Sequence, residues 1–287
     1  MKIGAMIFAT DQTIAIPKLA IALEERGFES LWIPEKTHLP VSRRTPWPGG
    51  ELPEWYKRTA DPFLMLSAAA SVTRTLHLGT GVAMVPVRDA VICAKEVATL
   101  DWLSGGRFEF GVGYGWNAEE FATHGVDIAD AGEILTEKLN LMEALWQNDI
   151  GSFSGRYVAV EPSWSWPKPV QLPRPPVHLG SRASARAFVD IAHHMDGWIP
   201  IEGYGDIVGQ LPRLRDAIEG AGRAEREIVV SVYASAGKPE QLARYEDAGI
   251  HRVILALPPA DEDLVLGALD AHTKSLQRFL DQPRQIG

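Results

Sequence analysis

Eight short apolar runs, each followed by a helix-length segment, recur along these 287 residues and leave few folds open. The runs fall at 2–8, 31–34, 76–82, 107–112, 177–180, 197–200, 228–233 and 252–257. Parallel strands need a crossover of helical length, so this alternation argues for a parallel sheet covered on both faces. Eight units at this length predict an α/β fold: one (β/α)8 TIM barrel spanning 1–287. An open doubly wound sheet is the competing arrangement. Helix boundaries are written into the chain. Pro17 starts a helix that Gly27 stops, and Asp61-Pro62 reads as an N-cap with a first-turn proline. Asn117 with Glu120 has the spacing of a capping box, and helices are expected at about 130–146 and from 182 to 193. Two stretches break the rhythm. One insertion, 39–60, follows the second strand and holds four prolines. The other, 151–176, precedes the fifth strand, holds six prolines with Trp164 and Trp166, and is expected to carry short strands of its own.

Composition narrows the partners. A net charge of −9 and a pI near 5.4 argue against nucleic acid or an anionic membrane. Cys93 is the single cysteine, which excludes an intrachain disulfide and suits a reducing, cytoplasmic setting. It shares a helix face with Val97 and Leu100 and reads as core. The start MKIGAMIFAT reads directly as a strand, without signal-peptide layout, and no apolar run reaches membrane-spanning length. No His/Asp/Glu set has metal-ligand spacing, so no metal is expected.

In a barrel, reactive groups belong at the carboxyl ends of the strands. After the second strand come Pro34-Glu35-Lys36-Thr37-His38, which offer acid–base side chains or, more plainly, surface charges. After the third come Gly79-Thr80-Gly81-Val82, small residues suited to a crowded interior. After the fourth, Gly113-Tyr114-Gly115-Trp116-Asn117 offers backbone amides with little obstruction, and its two aromatics suit either a ligand edge or the closing of the barrel mouth. After the fifth, Gly180-Ser181-Arg182-Ala183-Ser184 opens a helix, a place for an anion or for an ordinary serine cap. The 39–60 insertion, with Trp47, Trp55 and Tyr56 among its prolines, reads as a semi-rigid cover. From 36 to 60, Lys36, Arg43, Arg44, Lys57 and Arg58 face only Glu51 and Glu54, a net +3 on an acidic chain.

The stretch SGGRFEFGVGYGWN resembles the central signature of the luciferase-like monooxygenase superfamily, nearest to the branch that uses the deazaflavin coenzyme F-420. GFESLWIPEKTH, HLGTGVAMVPVRD, PVHLGSRASARA and MDGWIP extend the likeness over nearly the whole chain. The resemblance implies an oxidoreductase exchanging a hydride with a small organic substrate. It implies catalytic roles for His38 or Glu35, although relatives often carry histidine where this chain has Lys36. It implies cofactor contacts from Thr80, Gly81 and Val82, with a cis Gly81–Val82 peptide. Further contacts are implied from Gly113, Tyr114, Gly115, Trp116 and Asn117, and phosphate contacts from Gly180, Ser181, Arg182, Ala183 and Ser184. Trp47, Trp55 and Tyr56 would cover the substrate, and the cationic cover would meet the polyglutamate tail of F-420. Flavin mononucleotide (FMN) is the alternative cofactor. Its users often place an arginine in the loop after the fourth strand, where this chain has none. A flavin-binding protein without turnover is a third reading, and a homodimer is the assembly the resemblance suggests.

Overall fold

A computed structural model describes residues 1–224 and 228–280. Its strands are β1 (Lys2–Met6), β2 (Ser30–Ile33), β3 (His77–Thr80), β4 (Phe108–Gly113), β5 (Ile150–Ser154), β6 (Ala159–Trp164), β7 (Val177–Gly180), β8 (Gly197–Ile199), β9 (Val229–Ser235) and β10 (Arg252–Ala256). Its α-helices are α1 (Ile16–Glu25), α2 (Pro62–Val72), α3 (Ala90–Ser104), α4 (Ala118–Thr123), α5 (Ala131–Gln147), α6 (Ala185–His194), α7 (Ile207–Gly220), α8 (Pro239–Asp247), α9 (Glu262–Ser275) and α10 (Gln277–Leu280). Eight strands close in the order β1-β10-β9-β8-β7-β4-β3-β2, with every pairing parallel. The chain therefore forms a closed (β/α)8 barrel, and the open sheet is excluded. β5 and β6 pair antiparallel as a separate hairpin within the second insertion.

The caps expected from sequence appear as hydrogen bonds. Asp61 Oδ1 accepts from Leu64 N at 3.1 Å, and Asn117 Oδ1 accepts from Glu120 N at 2.8 Å. The helix expected from 182 begins at Ala185 instead. Ser184 Oγ accepts from Ala187 N at 3.1 Å, which makes Ser184 the N-cap and leaves 181–183 as loop. The last helical stretch is interrupted at Leu276, which separates α9 from α10. No helix among the described residues is long and apolar enough to cross a membrane.

Strand alternation sorts side chains into two cores. Phe108, Phe110 and Val112 of β4 join the large cluster between strands and helices, with Leu31, Leu179 and Val253. That cluster includes Cys93, whose thiol burial pushes above its ordinary range. Met6, Trp32, Ile199, Tyr233 and Ile254 form a separate cluster, which the opposite parity places inside the barrel. Trp32 fits there because β3 has a glycine beside it. A Cβ at Gly79 would lie 2.3 Å from the indole.

The amino-terminal end of the barrel is closed by charge. Arg252, on the first residue of β10, is 4 % exposed. It donates to Glu29 at 2.6 and 2.8 Å and to Glu109 at 2.6 and 2.8 Å. Glu109 also lies 3.0 Å from His77 Nδ1 and 3.0 Å from His178 Nε2. The ligand-type atoms of Glu29, His77 and Glu109 lie within 4.8 Å of one another. The cation at this place is the guanidinium, which already engages both carboxylates. Burial works against ionisation of Glu109, but Arg252 and the two imidazoles outweigh it and hold that carboxyl well below the usual range.

Removing one partner of a buried charge set strands the others. Arg252→Met is expected to cost about 3–5 kcal/mol of stability in urea unfolding at neutral pH. In the wild type this contribution is full above the unfolded carboxylate range, near 4.3, and is lost as pH falls through the lower folded value. In the variant the stranded carboxylates instead gain from protonation, so the deficit should narrow on acidification. A loss below about 1 kcal/mol, a surface-pair magnitude, would show that the network bears little on stability.

Candidate active site

Four buried polar atoms at the opposite end have no protein partner among the described residues: His38 Nε2, Asn117 Nδ2, Ser181 Oγ and the Tyr233 hydroxyl. They come from the segments after β2, β4 and β7 and from the carboxyl half of β9. An unpaired buried polar group costs about 1–3 kcal/mol. Four of them from four strands at one rim is the arrangement of a polar ligand site.

The segment after β2 is held by two buried charge sets. Glu35 is 5 % exposed, accepts from Met84 N at 2.6 Å and pairs with Arg88 at 2.7 Å. Arg88 also reaches Asp61 at 2.8 Å and Glu96 at 2.7 Å, tying this loop to the start of α2 and the middle of α3. Lys36 is 6 % exposed and is paired with Glu120 of α4, which is wholly buried. The Lys36 ammonium lies 4.8 Å from the Trp116 ring centre and 5.9 Å from that of Tyr56. Burial pulls its pKa below the ordinary lysine range, with Glu120 opposing. His38 Nδ1 lies 3.0 Å from Thr37 Oγ1, and its ring packs edge-on at 5.5 Å against His124.

Val82 forms the bulge beyond β3, after a cis Gly81–Val82 peptide. β4 and β7 close around it only because they end in glycine. A Cβ at Gly113 or Gly180 would lie 2.6 or 2.5 Å from a Val82 methyl. Thr80 turns away from the rim and donates to Gly111 O at 2.7 Å.

In the β4 loop the two aromatics divide. Tyr114 donates to Asp190 of α6 at 2.5 Å, and the two together push its phenol far above its ordinary range, burial first. Trp116 turns to the cover, where its Nε1 donates to the Tyr56 hydroxyl at 3.2 Å. Gly115 has φ +81° beside the Phe121 ring, and Asn117 caps α4. After β7, Ala183 packs on the large core and Arg182 stacks on Tyr204 at 4.7 Å.

The cover is aromatic and tethered. Phe8 meets Trp55 at 4.3 Å and Tyr56 at 5.2 Å, while Trp47 meets Tyr56 at 5.7 Å. Glu119 of α4 accepts from Thr45 N at 2.9 Å and from the Thr45 hydroxyl, and its carboxyl is lowered to about 2, chiefly by that hydroxyl. The cationic excess counted along 36–60 is mostly met from elsewhere in the fold. Arg58 is bidentate to Asp11 at 2.8 Å, Arg44 reaches Glu119 at 3.5 Å, Lys36 meets Glu120 and Lys57 meets Glu54. Among the described residues, Arg43 alone of the five has no acidic partner.

Of the residues singled out in sequence, His38, Asn117 and Ser181 bring free polar atoms to the rim. Trp47, Trp55, Tyr56 and Trp116 gather above it, and Gly81, Val82, Gly113 and Gly180 build its floor. The polar atoms of Glu35, Thr80, Tyr114 and Ser184 are engaged by the protein itself. Sequence reasoning missed Glu120 and Tyr233. Glu120 was noticed only as half of a capping box, and nothing marks Tyr233 among the apolar residues of its strand.

The chain matches the luciferase-like monooxygenase family over residues 5–285. It is 37% identical over 267 residues to an uncharacterised protein of Mycobacterium tuberculosis, covering 92% of this chain and 94% of that one. Its fold resembles a coenzyme F-420-dependent secondary alcohol dehydrogenase, with TM-score 0.77, 16% identity, and coverage of 97% and 98%. It also resembles a monooxygenase of Streptomyces bottropensis, with TM-score 0.74, 17% identity, and coverage of 97% and 99%.

The unpaired rim atoms carry a stability test. Tyr233→Phe removes a buried hydroxyl that lacks a partner, so the ligand-free protein should be unchanged or about 1 kcal/mol more stable. The same change should lower the thermal shift produced by a ligand that fills the rim. A loss of more than about 2 kcal/mol in the ligand-free protein, the scale of a broken buried hydrogen bond, would show that the hydroxyl serves the fold.

Proposed function

The chain belongs to the luciferase-like monooxygenase family, a family of oxidoreductases and monooxygenases, and on that premise we propose that it exchanges a hydride between coenzyme F-420 and a small organic substrate. The observation that carries the reading is the rim of four unpaired buried polar atoms around the Val82 bulge. A broad polar ring fits this setting, since a flat apolar floor and scattered donors and acceptors are what it needs. Ser181, Arg182 and the free amides leading into α6 would hold a phosphate. When bound, the deazaflavin supplies a ring carbon that takes or gives a hydride. The chain's own tasks are then positioning, exclusion of water and proton handling.

Of the two acid–base candidates, His38 is the one with a free ring nitrogen. Glu35 is spent on Arg88 and the Met84 amide, which suits it to holding the loop in place. Trp47, Trp55, Tyr56 and Trp116 would shield the substrate, and the Glu119 tether would hold the cover over it. F-420 is favoured over FMN by the absence of arginine from 113–117 and by Arg43, exposed and unpaired on the cover, as a contact for an anionic tail. Arg182, which also lacks an acidic partner among the described residues, favours the FMN monooxygenase reading as the second one. For the assembly we propose a homodimer, supported by the apolar face that Ile92, Trp102 and Leu103 expose on α3.

Titration of the purified protein with both cofactors tests the choice. F-420 should bind more tightly than FMN, with a margin that shrinks as salt rises and shrinks again in Arg43→Gln. Tightly bound FMN with no response to F-420 would give the site to the alternative. At saturating cofactor, His38→Ala should lower turnover about 10²–10⁴-fold, the range of a positioned acid–base group. A loss under about tenfold would remove His38 from proton handling.

A further inference from the structure

The segment 36–38 carries three polar side chains in a row, and each meets α4 or the turn after it. Thr37 Oγ1 is their hub. It lies 3.4 Å from Glu120 Oε1, 3.0 Å from His38 Nδ1 and 3.3 Å from His124 Nε2. Glu120 in turn is the partner of Lys36. A threonine hydroxyl has one proton to give and two lone pairs. Counting donors and acceptors therefore assigns every proton in the cluster.

We propose that the buried Lys36–Glu120 pair acts through Thr37 to fix the tautomer of His38, leaving Nε2 as the atom that exchanges a proton with a bound molecule. Glu120 forms an ion pair with the Lys36 ammonium, and a carboxylate only accepts. Thr37 must then donate to Glu120, and its oxygen is left to accept. His38 Nδ1 therefore carries a proton and donates it to Thr37. The remaining nitrogen, Nε2, is bare in the neutral ring, and it is the buried nitrogen without a protein partner. In the imidazolium Nδ1 keeps the same bond, so Nε2 is the titrating atom in either direction of transfer.

The same count gives His124 the opposite tautomer. Its Nε2 reaches Thr37 oxygen, so Nε2 carries the proton there. A free imidazole in water favours the proton on Nε2, so His38 is the unusual member of the pair and His124 the internal standard. Lys36, Glu120 and Thr37 are positioning residues in this account, acting on His38 without touching substrate. Lys36 is then the source of the positive charge that orders the cluster. The use of Nε2 rests on the oxidoreductase reading above. The tautomer is a property of the protein alone.

Nitrogen chemical shifts of histidine-labelled protein, recorded without cofactor at about pH 8 where imidazoles are neutral, test this. His38 should show a protonated Nδ1 and a bare Nε2, and His124 the reverse. Thr37→Val should return His38 to the ordinary Nε2–H form, while Thr37→Ser should keep the wild-type pattern. Lys36→Met leaves Glu120 buried without its cation. The carboxyl should take a proton and donate to Thr37, turning the hydroxyl toward His38 Nδ1 and moving the ring proton to Nε2. A wild-type His38 with its proton on Nε2 overturns the proposal. So does a Lys36→Met protein that folds and keeps the Nδ1–H form. If Lys36→Met does not fold, Thr37→Val and Thr37→Ser decide. Because no cofactor is present, the tautomer can fail while F-420 binds, or stand while it does not.

Discussion

A guanidinium buried at one end of the barrel sets the terms for the rest of it. Arg252 enters the interior from β10 and cannot stay there alone, because an isolated buried charge is far too costly. Glu29 and Glu109 neutralise it, and His77 and His178 each bring a ring nitrogen to 3.0 Å from the Glu109 carboxylate. Five side chains from five parts of the chain thus close the amino-terminal end with polar contacts. Trp32 lies on this layer, 5.3 Å from the guanidinium, and begins the apolar filling above it. The carboxyl end is left open, and four of the unpaired buried polar atoms among the described residues collect there.

The open face repeats the same logic with different consequences. Arg88 gathers Glu35, Asp61 and Glu96, and so fixes the loop after β2 to the two helices beside it. Lys36 and Glu120 form a second buried pair that joins that loop to α4. Both sets are expensive to bury and strongly directional, and together they hold the loop after β2 against α2, α3 and α4. A loop that would otherwise be mobile becomes a rigid support for His38 beneath the aromatic cover.

Charge counted along the chain and charge arranged in space gave different answers for the cover. The excess of five basic over two acidic residues from 36 to 60 suggested an anion-binding face. Folding brings Asp11, Glu119 and Glu120 to three of those cations, none of which is near them in sequence. What remains exposed and unpaired is Arg43. The same folding turns Glu119 and Glu120, adjacent on one short helix, to opposite tasks: one tethers the cover at Thr45, the other holds Lys36 below it.

Local patterning set the strand–helix order, the caps at Asp61 and Asn117 and the two breaks in the strand–helix rhythm, but it started the helix after β7 three residues early, at 182 rather than 185. These follow from local rules: alternation, capping chemistry and the conformational range of glycine and proline act within a few residues. The cis peptide at Gly81–Val82 was legible too, through the likeness of that stretch to a family. Which side chains are spent and which are free was settled by contacts that form when the barrel closes. Glu35 looked as available as His38 until Arg88 and the Met84 amide closed on it. Barrel closure brought Arg252 against Glu29 and Glu109, which no local pattern marks as partners. Partnership of this kind depends on residues up to 223 positions apart, and no local pattern carries that information.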